Sequence, residues 1–317
     1  MHTFARLLLA CTILLTLPSW GFFAHKQINQ YAVYTLPPPL LKLYKQHASY
    51  ITMHAVDPDK RRYINENEAA RHYIDADAYG ERPFDSIPRH WTDAEAKYTK
   101  DTLVSHGIVP WQIQRTYQRL VTAFGAKDLT NILRYSADLG HYIADANVPL
   151  HTTHNYNGQL TKQEGIHAFW ESRLPELFAN DYDFLVGTAH YIDKPLDTAW
   201  QMVESSFQLV DSVLNIEAVL SKSYAPSKKF AYERRLNNIN RVYSRNYSSA
   251  YHSKLAGMVE KQMQKAVIAV GSYWYSAWVD AGQPALEDLL NKRYVKTARP
   301  TDSVNYDQPA FGRKEWQ

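Results

Sequence analysis

Five side chains of the kinds that bind metal ions fall between positions 141 and 171: His141, Asp145, His151, His167 and Glu171. His141 and Asp145 are four positions apart, and so are His167 and Glu171. Residues at this spacing share one face of a helix, with Cβ atoms about 5–6 Å apart. Each pair can therefore hold one ion, because zinc binds imidazole nitrogen and carboxylate oxygen at about 2.0–2.2 Å. The pattern predicts a hydrolase built around a zinc cluster.

Further candidate ligands lie upstream. His25 falls on the first predicted helix, Asp57 begins a charged turn at positions 57–62, and His72 lies in the run His-Tyr-Ile-Asp at 72–75. A single histidine on a helix is usually a surface or core residue, and one aspartate in a turn is usually only a turn residue. Two helical ligand pairs that flank a third histidine are much less often accidental, so metal binding is the favoured interpretation.

The elements that must position these residues are helices. Apolar side chains recur at helical spacing through most of the chain, and no strand alternation is convincing. Pro149 ends the helix that carries His141, which places His151 on a loop. We predict an all-α fold with one domain over residues 20–298 and a polar, disordered tail over 299–317. The predicted helices cover approximately 20–34, 40–53, 91–106, 110–124, 129–146, 166–178, 196–220 and 255–282.

The N-terminus has the pattern of a cleaved signal peptide. Arg6 precedes an apolar run that is too short to span a bilayer, and Pro18-Ser19 follows it. We predict cleavage between Ser19 and Trp20, with the mature protein secreted or periplasmic. A lipoprotein cut before Cys11 is the alternative. Since Cys11 is the only cysteine, cleavage after Ser19 would leave a mature chain with no thiol ligand and no disulfide.

Bulk composition excludes little. The 317 residues are 45% hydrophobic and 21% charged, which suits one large or two small globular domains, and no linker divides the chain. The net charge of +3 creates no strong field toward nucleic acid or anionic membranes.

The order of candidate ligands resembles that of the superfamily which joins bacterial zinc-dependent phospholipases C to fungal single-strand-specific nucleases. These are all-α proteins with three zinc ions in a cleft. Their ligand order is a mature N-terminal Trp, an early His, an Asp, a His, then His-x-x-x-Asp, another His, and His-x-x-x-(Glu or Asp). The matching residues here are Trp20, His25, Asp57, His72, His141, Asp145, His151, His167 and Glu171.

The resemblance implies three zinc ions per chain. Asp57, His72, His141 and Asp145 would bind the first. Trp20, through its free amino group and carbonyl, would bind the second with His25 and Asp145, so Asp145 would bridge two ions. His151, His167 and Glu171 would bind the third. A peptide nitrogen is not basic, so Trp20 becomes a ligand only after the signal peptide is removed.

Two positions have competitors. Asp59 competes with Asp57. We prefer Asp57 because its spacing in the sequence from His72 fits the family better. His154 competes with His151, which the distance from Asp145 selects.

The expected reaction is in-line attack of a zinc-bound hydroxide on phosphorus, because zinc lowers the pKa of bound water toward about 7. Asp57 would orient that water or accept its proton. Lys60 would neutralise the phosphoryl oxygens, although Arg61 and Arg62 are equally placed, and a solvated basic turn explains any one of the three equally well.

Three features favour the phospholipase C branch: the last ligand is Glu171, the interval from His151 to His167 is short, and the mature chain lacks cysteine. One feature opposes a phosphatidylcholine enzyme, since Trp20–Phe23 offers no acidic residue for choline. We therefore predict a phosphodiesterase of phospholipase C type that contacts membrane surfaces transiently and has no stable protein partner. A single-strand-specific nuclease or nucleotidase is the alternative, and a non-catalytic zinc-binding exported module is a third possibility.

Overall fold

The computed structural model describes residues 22–235, 238–292, 294 and 310–313. Helices dominate these residues, as predicted. The helices of the first half are α1 Phe22–Ala32, α2 Pro38–Gln46, α3 Ala48–His54, α4 Asp57–Arg61, α5 Pro83–Ser86, α6 Trp91–Tyr98, α7 Lys100–Ser105, α8 Val109–Gly125 and α9 Leu129–Ala146. Those of the second half are α10 Ile166–Ala168, α11 Leu174–Phe178, α12 Pro195–Phe207, α13 Val210–Lys222, α14 Pro226–Lys229, α15 Arg245–Lys254, α16 Met258–Asp280 and α17 Glu287–Leu290.

The core is a bundle in which α8, α9, α16 and α1 pack side by side, with α3 and α12 against its flanks. A tight turn joins α8 to α9, and Asp128 caps α9 by accepting a hydrogen bond from Asn131 N at 3.1 Å. Both helices bury one apolar face, and α9 is so central that most of its residues are buried. The helix that carries His141 and Asp145 is therefore held firmly by the core.

Close approach of α1 to α9 depends on Gly140. A Cβ at this position would lie 2.0 Å from Asn29 Oδ1, which no pair of non-bonded atoms tolerates. Asn29 is fully buried on α1, and its amide nitrogen donates to the carbonyls of Ile51 at 3.4 Å and Ala137 at 3.2 Å. The missing side chain at Gly140 thus lets α1 lie directly against the ligand-bearing face of α9.

Several predicted helices are interrupted. The predicted helix over 91–106 breaks at Thr99, whose φ of +66° lies outside the helical region. Two others break at His47 and around Gln208–Leu209, and the predicted turn at 57–62 is the short helix α4. The apolar periodicity continues across these breaks because both halves of each segment pack on the same core, so the pattern alone could not show them.

The all-α fold also contains a two-stranded antiparallel hairpin, where no strand was predicted. Strands β1 Phe230–Arg235 and β2 Asn238–Tyr243 pair with Phe230 opposite Tyr243. Its sequence does not alternate cleanly, because Tyr232 and Ile239 are large, apolar and more than two-thirds exposed. The inner side packs on the site-bearing segment, where the rings of Tyr243 and Phe169 stack with centroids 3.8 Å apart.

Residues 166–178 form one continuous helical segment, as predicted, but with a wider turn in the middle. Phe169–Arg173 is a π-helix between α10 and α11. Such turns are rare and are often found at functional sites, and this one carries Glu171.

Some predictions fall outside the described residues. The signal peptide at 1–19 and Trp20 lie there, as does most of the tail at 299–317. Among the residues that are described, no helix has both the length and the apolar character needed to cross a membrane.

Candidate metal centre

Helix α9 presents two ligand side chains on one face. His141 and Asp145 are both buried, and His141 Nε2 lies 3.2 Å from Asp145 Oδ2. The other ring nitrogen, Nδ1, lies 2.8 Å from the carbonyl of Ala55. A carbonyl can only accept, so Nδ1 carries the hydrogen, and Nε2 is the atom that a metal can take.

His72 and Asp59 complete the first group of donors. His72 Nδ1 lies 3.0 Å from both His141 Nε2 and Asp145 Oδ2. Asp59 Oδ1 lies 3.7 Å from each of the two imidazole nitrogens. Tetrahedral bonds of 2.0–2.1 Å place neighbouring donors about 3.3 Å apart, so this spacing suits a zinc-sized ion.

His25 reaches the same region from α1. Its Nε2 lies 3.4 Å from Asp145 Oδ1 and 3.2 Å from Glu171 Oε1. Its ring stacks on that of His141 with centroids 4.1 Å apart, which the close packing at Gly140 permits. The two oxygens of Asp145 thus face different histidines, as expected for a bridging carboxylate.

The third group joins a short helical turn to the π-helix. His151 lies in the 3-10 turn Pro149–Thr152, and its Nε2 is 3.3 Å from Glu171 Oε2. His167 Nε2 is 2.8 Å from the same oxygen. The Nδ1 atoms of these histidines donate to the carbonyls of His72 at 2.8 Å and Tyr156 at 3.0 Å, so both Nε2 atoms face the carboxylate.

These donors form groups that could hold metal ions. Three buried groups of possible ligands meet, namely His25/His141/Asp145, Asp59/His72/His141 and His151/His167/Glu171. Three buried carboxylates in one place need compensating positive charge. Asp59 Oδ2 is buried without a hydrogen-bond partner among the described residues. Divalent cations would supply the missing charge.

The pKa values of the clustered side chains, without metal, reflect this concentration of buried negative charge. Burial acts to raise the pKa of Asp145, but His141 and His151 hold it well below its usual range. Burial likewise opposes the lowering of the pKa of Glu171 by His151. Burial lowers the pKa of His72. It acts the same way on His141, yet Asp145 and Asp59 raise the pKa of His141 to about 9. Without metal, Asp145 and Glu171 therefore stay ionised, and their neighbour His141 holds a proton more tightly than an ordinary histidine.

The preference for Asp57 over Asp59 does not agree with the geometry. Asp57 Oδ2 lies 2.7 Å from His54 Nδ1, and Oδ1 lies 3.4 Å from Lys60 Nζ. Asp59 is the aspartate that approaches His72. The two positions differ by two residues within the short helix α4, so they point in different directions, which linear distance to His72 cannot reveal.

The basic residues of α4 also have distinct environments. Lys60 pairs with Asp57, whereas Arg61 is drawn into a buried network with Glu68 and Asp138 at 3.2 and 3.1 Å. Arg62 is buried and donates to the backbone of residues 311–313. None of these contacts gives Lys60 the predicted role at a phosphoryl oxygen.

The structure brings His151, not His154, to the cluster. The His154 side chain is 60% exposed and lies 3.6 Å from Asp75. His154 therefore lies outside the cluster, and the choice of His151 agrees with the geometry.

Glu68 is a supporting residue that sequence reasoning missed. It is fully buried and accepts hydrogen bonds from Arg71, Tyr142 and Arg61 at 2.6, 2.5 and 3.2 Å. Its Oε1 lies 3.9 Å from His72 Nε2, behind the ligand. Burial opposes ionisation, but Arg61, His72 and Arg71 lower the pKa of Glu68 to about 2. Its place four residues before His72 was the only available signal.

The side chain of Arg313 lies in what we call the aromatic pocket, formed by Tyr73, Asp75 and Tyr156. Tyr73 follows His72 in the sequence, and the backbone carbonyl of Tyr156 accepts a hydrogen bond from His167 Nδ1. The guanidinium of Arg313 lies 3.3 Å from the Tyr73 ring centroid and 4.6 Å from that of Tyr156. It also forms an ion pair with Asp75. Sequence reasoning did not identify this pocket, because Arg313 lies 238 positions from Asp75.

Comparison with known proteins agrees with this arrangement. No curated protein gives a significant sequence match to the chain. The family model of the S1/P1 nucleases, which are zinc enzymes, matches residues 20–273 and so includes every candidate ligand. A match over most of the chain, together with the helical fold and the buried ligand groups, leads to one conclusion: the protein belongs to the S1/P1 nuclease family, and its class is that of a phosphodiesterase-type hydrolase.

Proposed function

We propose that the protein is an exported, zinc-dependent phosphodiesterase whose substrate is single-stranded nucleic acid. One observation carries the proposal: the chain combines a buried cluster of histidines and carboxylates with an aromatic pocket that holds the flat guanidinium of Arg313. The cluster accounts for phosphodiester hydrolysis, and the pocket accounts for a base.

The proposed ligand set changes one sequence prediction. Asp59, His72, His141 and Asp145 would hold one zinc, while His151, His167 and Glu171 would hold another. His25 and Asp145 would hold the third, together with the amino group and carbonyl of Trp20. Cleavage between Ser19 and Trp20 remains a proposal, supported by the start of the family match at residue 20.

Bound zinc would supply Lewis acidity and activated water. The chain's own residues supply orientation and proton handling. Backbone carbonyls fix the rings of His141, His151 and His167 so that each Nε2 faces inward. Asp59 Oδ2 is buried without a partner among the described residues, so it is the oxygen placed to accept a proton. This role replaces the one predicted for Asp57.

The aromatic pocket favours a nucleobase over a phospholipid head group. The separation of 3.3 Å between the Arg313 guanidinium and the Tyr73 ring is that of two flat groups in contact. A base can stack in this way, with an amino group directed at Asp75, and stacking contributes about 1–3 kcal/mol per base. A quaternary ammonium is not flat and has no N–H group to donate to Asp75.

Phospholipase C activity is the second candidate. The features that favour it are in the sequence: Glu171 as the last ligand, the short interval from His151 to His167, and the absence of cysteine after residue 11. Transient contact with a membrane surface belongs to this candidate alone.

The test uses protein that begins at Trp20. Zinc per chain is measured first, and hydrolysis of single-stranded DNA, RNA and phosphatidylcholine vesicles is then followed with and without chelator. We expect three zinc ions and chelator-sensitive cleavage of nucleic acid. Cleavage of phospholipid alone would establish the second candidate, and bound zinc without any turnover would indicate a non-catalytic module. His141→Ala should abolish activity, while His154→Ala is the matched control that should largely retain it.

A further inference from the structure

The C-terminal segment Ala310–Arg313 packs against Arg62, Ala69 and Tyr73, which flank the candidate ligands Asp59 and His72 in the sequence. The amide of Phe311 donates to the carbonyl of Arg62 at 2.8 Å. In return, the Arg62 guanidinium donates to the carbonyls of Phe311 at 3.5 Å and Arg313 at 2.7 Å. Arg62 is only three residues from Asp59, so this contact lies next to the metal ligands.

Gly312 makes the docking specific to this sequence. Its φ is +88°, and a Cβ there would lie 2.3 Å from Ala69 Cβ. Any other residue would be strained and would collide with the turn that precedes His72. The segment therefore fits the surface through its backbone as well as through Arg313.

Arg313 occupies the aromatic pocket itself. Its guanidinium is flat, carries N–H donors, lies on Tyr73 and pairs with the buried carboxylate of Asp75. The Arg313 side chain is only 8% exposed. Cation–π contact and a charge-assisted hydrogen bond both favour this position. These are the same surfaces that a stacked base with an amino group would use.

We propose that the C-terminal segment is an intramolecular competitor of the substrate: Arg313 occupies the base-binding pocket and must leave before nucleic acid binds. This inference rests on the proposed function, since it concerns the regulation of the same site. Displacement of the segment would also release Arg62, three residues from a metal ligand, to contact substrate.

The first experiment compares steady-state kinetics on single-stranded DNA of variants that begin at Trp20 and keep the whole C-terminal segment. Arg313→Ala removes the competing group, and Gly312→Val displaces the segment while it keeps the arginine. We expect both to lower KM about tenfold, equal to about 1.4 kcal/mol, with little change in kcat. Lys265→Ala is the charge control, because it removes an exposed cation of α16, and it should leave KM unchanged. Unchanged or raised KM in both test variants would overturn the proposal and make the segment a structural wall of the site.

A second measurement does not depend on catalysis. Each protein of the first experiment is titrated into a labelled peptide with the sequence of residues 309–314, Pro-Ala-Phe-Gly-Arg-Lys, and binding is followed by fluorescence anisotropy. We expect the peptide to bind Arg313→Ala at least tenfold more tightly than the unaltered protein, and a peptide with alanine in place of the arginine should not bind. Absence of peptide binding to every variant would refute the inference. Peptide binding without hydrolysis by any variant would instead refute the proposed function and leave the docking intact.

Discussion

Gly140→Ala tests how the fold brings α1 to the metal centre. The new Cβ would lie 2.0 Å from Asn29 Oδ1 and 2.8 Å from Asn29 Cγ. Asn29 cannot swing aside freely, because it is fully buried and its amide holds the carbonyls of Ile51 and Ala137. The substitution must therefore break these hydrogen bonds, separate the two helices, or do both.

The size of the effect follows from three contributions. Overpacking a dense core costs about 1–3 kcal/mol. Loss of two hydrogen bonds costs about 0.5–1.5 kcal/mol each. Alanine in place of glycine within a helix returns about 0.5–1 kcal/mol. We expect the free energy of unfolding to fall by about 3 kcal/mol, and zinc per chain to fall because His25 moves away from Asp145.

The assay combines urea unfolding with metal analysis, and Gly125→Ala is the matched control. Gly125 ends α8, and a Cβ there would meet nothing within 4 Å, so this variant should be as stable as the original protein or slightly more so. A double-mutant cycle with Asn29→Ala sharpens the test. Since the clash needs both side chains, Gly140→Ala should cost much less in the Asn29→Ala background. A stable Gly140→Ala variant with full zinc, or a cost that Asn29→Ala does not reduce, would refute the reasoning.

Three further predictions address the site. Asp59→Asn should lose bound zinc and lower kcat at least a hundredfold, whereas Asp57→Asn should keep its zinc; metal analysis that gives the opposite result would restore the original ligand assignment. Glu68 has a folded-state pKa of about 2 against an ordinary value of 4.5, so its contribution to stability is present above pH 4.5 and is lost as the pH falls toward 2. Glu68→Gln should lower the free energy of unfolding by up to about 3 kcal/mol at neutral pH and weaken its dependence on pH in acid, as measured by urea unfolding; an unchanged pH dependence would contradict this. Removal of zinc by chelator should lower Tm by roughly 10 °C or more, because binding to the folded state alone stabilises it, and added zinc should restore it; an unaltered Tm would argue against a buried metal cluster.

Much of the centre was predictable because helical spacing controls it. His141 with Asp145 and His167 with Glu171 lie on single turns, so their proximity follows from sequence alone. His151 was located by its distance from Asp145. The choice between Asp57 and Asp59 was not predictable in this way, since it depends on the orientation of the short helix α4 relative to distant His72.

The surroundings of the centre were harder to predict for the same reason. Glu68 supports His72 through a network that includes Tyr142, 74 positions away. The hairpin at 230–243 has no clean alternation, and the contact of Arg313 with Asp75 joins residues 238 positions apart. Contacts of this kind depend on tertiary packing, which local periodicity does not encode.

The positions of the two ends of the described chain have a practical consequence for recombinant work. Helix α1 begins at Phe22, three residues before His25, and the docked segment includes Gly312 and Arg313, close to the other end of the described residues. Purification tags are normally fused at these termini because they are assumed to be remote from function. Here an N-terminal fusion would extend the chain just before His25, and a C-terminal fusion would attach a tag close to the segment whose Arg313 fills the aromatic pocket. A tag inserted in an exposed internal loop, such as the one around Leu185, which is 93% exposed, would change neither helix α1 nor the C-terminal segment.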